Sequence, residues 1–572
     1  MAAQTTRSKN GRTASPWVAV HHNFSEHTLK LNRLVQQIAA ISLPVALAAC
    51  GGGGSDTPPP PPTATALKLS GTAAVGAPMA GASVTVSCAS GSALVTADAK
   101  GVYTVSIAGG ALPCVLTAKS TDGLIELHSV AAGTGQADTT SNITPLSELL
   151  LAKLAGTDPK TYVASFTSST AISTADVGTA QTALLQTLTA AGLDVSAVTD
   201  IVGGTLSAGS GTGYDGALDK LQTAISTAGT TLAELTTAVS TTSTAGSSTS
   251  TSTVTTVLAA ASSDCPGLKT GTLRMIDFND GWNEKIVVDA TALTVTASGT
   301  KYTLTKNAAC DYTVNDDAST RVLVARSGMA VLLQGTGTGG VAGVAIPEQA
   351  LDVAALAGTY DRVQYGNAFD AEVGDFGTTV FAANGANGLS VNCPLGFGKC
   401  AEDTQSKGTL VANADGGFDY MENGASQARA FAFRNAAGRT FIIAQSPDGT
   451  VTVLASQTSL TLPDVGKSTS FWQFTVNAAG LGAVTEESNT VTAVDATAKT
   501  VTRQFASDSH FDAITFDTPF TGTRYRAPNA CTTSAGGALN CSGVIQMPLG
   551  GIVLSVSSVP TKHFITVSID KP

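Results

Sequence analysis

From Cys265 to Pro572 the sequence is a succession of short runs in which apolar and polar residues alternate, broken repeatedly by Gly, Asn or Asp. Alternation with period two places one set of side chains on each face of a strand, and the turn residues fold the chain back antiparallel. A long segment of this kind exposes free strand edges unless each sheet closes on itself or packs face to face. Tandem antiparallel β-meanders, as barrels or sandwiches, are the expected arrangement. Two stretches look like copies of one unit: NAACDYTVNDDASTRVLVARSGMAVLL at 307–333 and DGGFDYMENGASQARAFAFRNAAGRTFIIAQSPDGTVTVL at 415–454. Asp311-Tyr312 corresponds to Asp419-Tyr420, and Val324-Ala325-Arg326-Ser327 to Ile443-Ala444-Gln445-Ser446. A third, weaker copy is expected within 470–570. The three β modules are placed at 265–350, 351–468 and 469–572.

Upstream the character changes twice. Residues 66–140 alternate in short runs such as GASVTVSC and GVYTVSI, with Val84, Val86 and Cys88 on one face. They predict a β-sandwich. Gly76, Pro78, Gly81, Val84 and Val86, with Asp98, Gly101 and Tyr103, make this stretch resemble the carboxypeptidase-regulatory-like or transthyretin-like modules of surface lipoproteins. That resemblance implies a spacer or accessory rather than an activity. Over 141–239 the period becomes helical. Thr144 is placed to cap, Pro145 suits the first helical turn, and Leu146, Leu149, Leu150 and Leu154 share a face. ADVGTAQTALLQTLTAAG and YDGALDKLQTAISTAG continue a small helical domain, each ending at glycine. Residues 240–264 are rich in Ser, Thr and Ala and predict a linker. LAGTYDRVQY at 356–365 resembles the opening strand of lipocalin-like barrels. The fold class expected is multidomain and mainly β, with one α-helical insert.

At 572 residues the chain exceeds a single core. Charged residues are only 13% and the formal net charge is −11. Residues 1–49 hold five basic residues and one acid, so the remainder carries −15. A surface this acidic repels phosphate backbones, and no nucleic acid partner is expected. After Cys50 eight cysteines remain: Cys88, Cys114, Cys265, Cys310, Cys393, Cys400, Cys531 and Cys541. An even set in an exported chain reads as disulfides, and pairing of neighbours is the simplest connectivity.

The exported reading rests on residues 30–62. KLNRLVQQIAAISLPVALAAC has a basic start, a short apolar run and small residues before Cys50. It is too short to span a bilayer comfortably. Leu47-Ala48-Ala49-Cys50 resembles the lipobox of bacterial lipoproteins. The resemblance implies cleavage of a signal peptide, 1–49, and acylation of Cys50, with membrane lipid as the partner of the mature N-terminus. Residues 50–65 then read as a tether, a glycine run followed by a stiff polyproline spacer. Gly51 after the cysteine points, by the same resemblance, to the outer membrane. Initiation near Leu29 would give the leader an ordinary length.

Chemistry is harder to find. No serine sits on a glycine-flanked elbow, and three histidines, His128, His510 and His563, follow the anchor. His510 lies near Asp508 and Asp512, a spacing that suits a solvated turn better than a triad. Asp370, Glu372 and Asp375 form an acidic cluster that could supply paired carboxylates to a glycosidase, or simply line a loop. DFNDGWNE at 277–284 has its glycine one place early for a calcium loop, and reads as a hairpin turn presenting Trp282. Trp282 and Trp472 are core anchors or stacking platforms for a sugar ring. The long loops at 365–377 and 392–406 are the expected recognition surface, with Phe397 and Lys399 in the second, clamped by Cys393 and Cys400. No metal site and no cofactor are expected. The composite expectation is an anchored, disulfide-stabilised binding or scaffold lipoprotein with an unidentified ligand or envelope partner. A hydrolase or a structural envelope component are the alternatives.

Overall fold

The computed structural model describes residues 66–240, 248–278, 282–315, 317–365, 375–393, 396–403, 407–559 and 564–572. Cys50, the tether and the acidic residues Asp370 and Glu372 lie outside them, as do Asn279–Gly281 of the calcium-like turn. The described chain is mainly β and multidomain.

The sandwich comprises a three-stranded and a four-stranded sheet. Strand Ser83–Ser90 sends Val84 and Val86 inward, and both are fully buried with Leu67, Leu69, Tyr103 and Leu116. Cys88 and Cys114 are register partners on neighbouring strands and form a disulfide. Helix Pro145–Ala155 starts as its sequence predicts. The Thr144 hydroxyl accepts from Ser147 N–H, the Ser147 hydroxyl accepts in turn from Thr144 N–H, and Gly156 ends the helix at φ +63°. The helix is buried all round rather than on one face: Leu146, Leu149, Leu150 and Leu151 have no exposed surface. It lies between the sandwich strand Glu126–Gly135 and the other helices, so sandwich and helices share apolar packing through Val115 and Val130. Glu148 on this helix reaches His128 on that strand at 3.0 Å.

The Ser/Thr stretch expected as a linker contains a helix, Ser248–Leu258. Its Val254 and Val257, three residues apart, are buried in the helical core, and that packing overrides weak helix propensity.

The C-terminal region consists of three up-and-down meanders. The first is a closed eight-stranded barrel from Gly271–Asp277 to Val341–Pro347, closed where its first strand pairs with its last. The second runs from Gly358–Tyr365 to Val451–Ser456 in nine strands. Its first and last strands also pair, but Ala401–Asp403 and Thr409–Ala412 are not paired to each other. The third uses eight strands: Ser468–Asn477, Thr485–Asp495, Thr500–Phe505, Phe511–Phe516, Arg524–Arg526, Val544–Pro548, Ile552–Ser557 and Phe564–Asp570. Each pairs with the next, and the last returns to the first, so this ring also closes. Closure removes free edges in both barrels.

The meanders are not beads on a string. One contiguous apolar core contains Ile276 and Val344 of the first, Phe431, Phe433 and Phe441 of the second, and Trp472, Phe474 and Met547 of the third. Gly337 and Leu481 exchange backbone hydrogen bonds between the first and third barrels, at 2.7 and 3.0 Å. Cys265–Cys310, Cys393–Cys400 and Cys531–Cys541 complete four disulfides between sequence neighbours, the pairing the cysteine order implies.

The internal repeat is physical at one of its two matched points. Asp311 pairs with Arg321 at 2.8 Å, and Asp419 pairs with Arg429 at 3.2 Å, each ten residues on and one strand away. Val324 and Ile443 do not correspond: the first ends the strand bearing Arg321, whereas the second lies one strand beyond Arg429.

Candidate functional site

Where the first and second meanders meet, a recess of about 160 Å³ is lined by Asn283, Ser426, Arg429, Phe431, Gln445 and Ser446. Strand Ala425–Arg434 supplies Arg429 and Phe431 on one face, because Arg429, Phe431 and Phe433 are spaced by two. Two guanidinium groups lie over the Phe431 ring, with Arg274 Cζ 4.7 Å and Arg429 Cζ 5.0 Å from its centroid. Both cations are ion-paired, although Glu348 is shared with Lys285 at 3.4 Å. Arg274 donates from Nε and Nη2 to Glu348 at 3.0 and 3.1 Å, and from Nη1 to Asn283 Oδ1 at 3.1 Å. Its Nη2 also reaches the Asp415 carbonyl at 2.8 Å, tying the two meanders together. Arg429 donates to Asp419 at 3.2 Å and to the Gly416 carbonyl at 2.8 Å. Gly416 is required here: at φ +91° a Cβ would lie 2.5 Å from Glu348 Oε1.

With its charges engaged, the recess offers neutral hydrogen-bonding groups beside an aromatic wall. Gln445 donates from Nε2 to the Asp277 carbonyl at 2.9 Å, which orients its amide oxygen. Trp282 directly precedes Asn283 and keeps 46% of its surface exposed. The volume is below the ~300 Å³ at which drug-sized sites begin, and suits one small ring or side chain.

The other residues singled out in the sequence are dispersed. Phe397 stacks on Tyr525 of the third barrel, with centroids 3.9 Å apart and planes 5° from parallel, so its ring joins two meanders. Lys399 is exposed beside the Cys393–Cys400 bridge. Asp375 opens strand Asp375–Phe381, opposite Gln364. Trp472 is fully buried in the shared core, its indole N–H donating to Glu486 at 3.2 Å. His510 stacks on Phe505 and bonds Asp508, whereas Asp512 turns to Arg503 at 2.7 Å and Arg526 at 3.1 Å. The three do not converge. Among the described residues no three His, Cys, Asp or Glu side chains are grouped to hold a metal ion, and no helix is long and apolar enough to cross a membrane. Arg274, Phe431 and Gln445 were not anticipated. The alternation in ARAFAF was the signal that Arg429 and Phe431 share a face.

No family model and no curated protein matches the chain. Among solved structures, a protein of unknown function of the DUF3598 family from Nostoc punctiforme superposes with TM-score 0.14 at 9% identity, over 39% of this chain and 99% of its own. Isotype 1 transferrin binding protein B from serogroup B Neisseria meningitidis superposes with TM-score 0.18 at 8% identity, over 50% of this chain. This chain spans 65% of that protein's length. At such scores neither likeness bears on what this chain binds.

Proposed function

We propose that this chain is an acylated, outer-membrane-anchored binding protein whose seam recess takes a single neutral, hydroxylated group such as one sugar residue. The carrying observation is the recess itself: the amide and hydroxyl groups of Asn283, Gln445, Ser426 and Ser446 line it beside the Phe431 ring and ion-paired arginines. Single sugars are held largely by directed neutral hydrogen bonds of the kind these amide and hydroxyl groups offer. The four disulfides fit an oxidising compartment outside the cytoplasm. Cys50 would supply the anchor and the Gly/Pro stretch the spacing. Titration of the full chain with neutral mono- and disaccharides tests the recess. A sugar that binds the wild type should bind Ser426→Ala and Ser446→Ala at least tenfold more weakly. Indifference of every bound sugar to both substitutions, or no binding at all, would remove the recess from the reading.

A further inference from the structure

The lumen of the third barrel is apolar on one side and polar on the other. On strands Thr485–Asp495, Thr500–Phe505 and Phe511–Phe516, which take no part in the shared core, Val491, Val501, Asp512, Ile514 and Phe516 are buried. Their alternates Thr490, Thr500, Thr502 and Thr515 keep exposed surface, so the buried set faces inward. Following the register from Phe516 around the ring gives Arg524, Gln546, Ser555, Thr566 and Thr475, each opposite the next. A lumen of this size is ordinarily filled by aliphatic side chains. Here five consecutive strands line it with a polar row, and the members are half-buried apart from the buried Ser555.

Within that row most groups are satisfied. Thr475 and Thr566 share a hydrogen bond at 2.8 Å, and Gln546 Nε2 donates to Ser555 at 3.1 Å. Arg524 is the exception. Its guanidinium lies 4.7 Å above the Phe516 ring, its Nε is buried without a hydrogen-bond partner, and no described carboxylate comes within ion-pair distance. The adjacent Gln546 Oε1 is also buried and unpartnered. The neighbouring arginines are not in this position, since Arg503 and Arg526 both hold Asp512. Burial pushes the Arg524 guanidinium from 12.5 down to about 10, with Arg503 and Arg439 adding repulsion and Asp570 opposing it. Asp570 attracts Arg524 only from beyond ion-pair distance; a buried guanidinium with no direct partner is costly, and its planar fork matches a carboxylate.

We propose that the lumen of the third barrel binds a small organic carboxylate, seated on Arg524 between the Phe516 ring and the Gln546 amide. The carboxylate would accept from the guanidinium, whose Nε has no partner within the protein. This site is separate from the seam recess, and neither depends on the other. Calorimetric titration of the full chain with sodium butyrate, with butyramide as the neutral isostere and with inorganic phosphate, tests it. Butyrate should bind one to one, butyramide at least tenfold more weakly, and Arg524→Gln should lose at least tenfold in butyrate affinity. Should Arg524→Gln fail to fold, the wild-type contrast between acid and amide stands, together with a nuclear Overhauser contact between the butyrate methyl and the Phe516 ring. Equal binding of butyrate and butyramide, butyrate affinity unchanged in a folded Arg524→Gln, absence of the Phe516 contact, no binding of butyrate, or phosphate binding in preference to it would each overturn the assignment.

Discussion

Asp361 should make this protein lose stability as pH rises from 5 to 8. It lies on strand Gly358–Tyr365 with 1% of its surface exposed, where the second and third meanders meet. Gln457 donates to Oδ1 at 2.9 Å, but Arg439 Nη2 is 3.8 Å from Oδ2, and both of those atoms lack hydrogen-bond partners. Arg439 is committed elsewhere, to the Ser456 carbonyl at 3.0 Å and the Pro548 carbonyl at 2.6 Å. Gly522 packs so close that a Cβ would sit 2.6 Å from Oδ2. Burial is the main cause that pushes the carboxyl from 3.8 up to about 7, with Asp517 adding to it and Gln457 and Arg439 opposing. Below pH 3.8 both folded and unfolded chains hold the proton, and nothing is lost. Above it the unfolded chain releases the proton while the folded one retains it until about 7, so stability falls through that window and then levels off. Integrated between pH 5 and 8, the loss is about 2.5 kcal/mol. Urea unfolding followed by tryptophan fluorescence at the two pH values should show this loss in the wild type. In Asp361→Asn the pH dependence should be smaller by that amount. Identical pH dependence in the two proteins would refute a buried, proton-holding Asp361.

Phe397→Ala should lower the unfolding midpoint by an amount equivalent to about 1 kcal/mol, because the stacked Tyr525 contact is lost; an unchanged midpoint would return Phe397 to the free recognition surface expected from the sequence. Asp512→Ala strands Arg503 and Arg526 inside the third barrel and should cost roughly 3–5 kcal/mol by denaturant titration. Replacing Cys265 and Cys310 together by alanine opens a loop spanning 45 residues and should cost roughly 4 kcal/mol in chain-entropy terms, read as a lowered midpoint relative to the oxidised wild type.

Local features carried through to the structure. Val84 and Val86 alternate into the sandwich core, Thr144 and Pro145 start their helix, and cysteines close in sequence form the bridges. Helix ends near Gly192 and Gly229 followed the glycines, with Thr174–Ala190 and Gly213–Thr227 as the helices themselves. Contacts made at a distance stayed hidden. The helix Ser248–Leu258 forms because Val254 and Val257 find a core that no local composition reveals. Arg274 and Phe431, 157 positions apart by their numbering, meet only because two meanders pack side by side. Arg524 reads as an ordinary strand-end arginine until the ring closes around it. The period-two pattern gave strand faces, but it could not say which neighbouring meander would cover each outer face.

Metabolic labelling with radioactive palmitate is the most direct measurement of the proposed anchored role, since a binding surface matters to the cell only where the chain is held. The wild type should carry label in the membrane fraction, and Cys50→Ala should carry none and leave that fraction. Label retained by Cys50→Ala, or none on the wild type, would contradict an acylated anchor at Cys50.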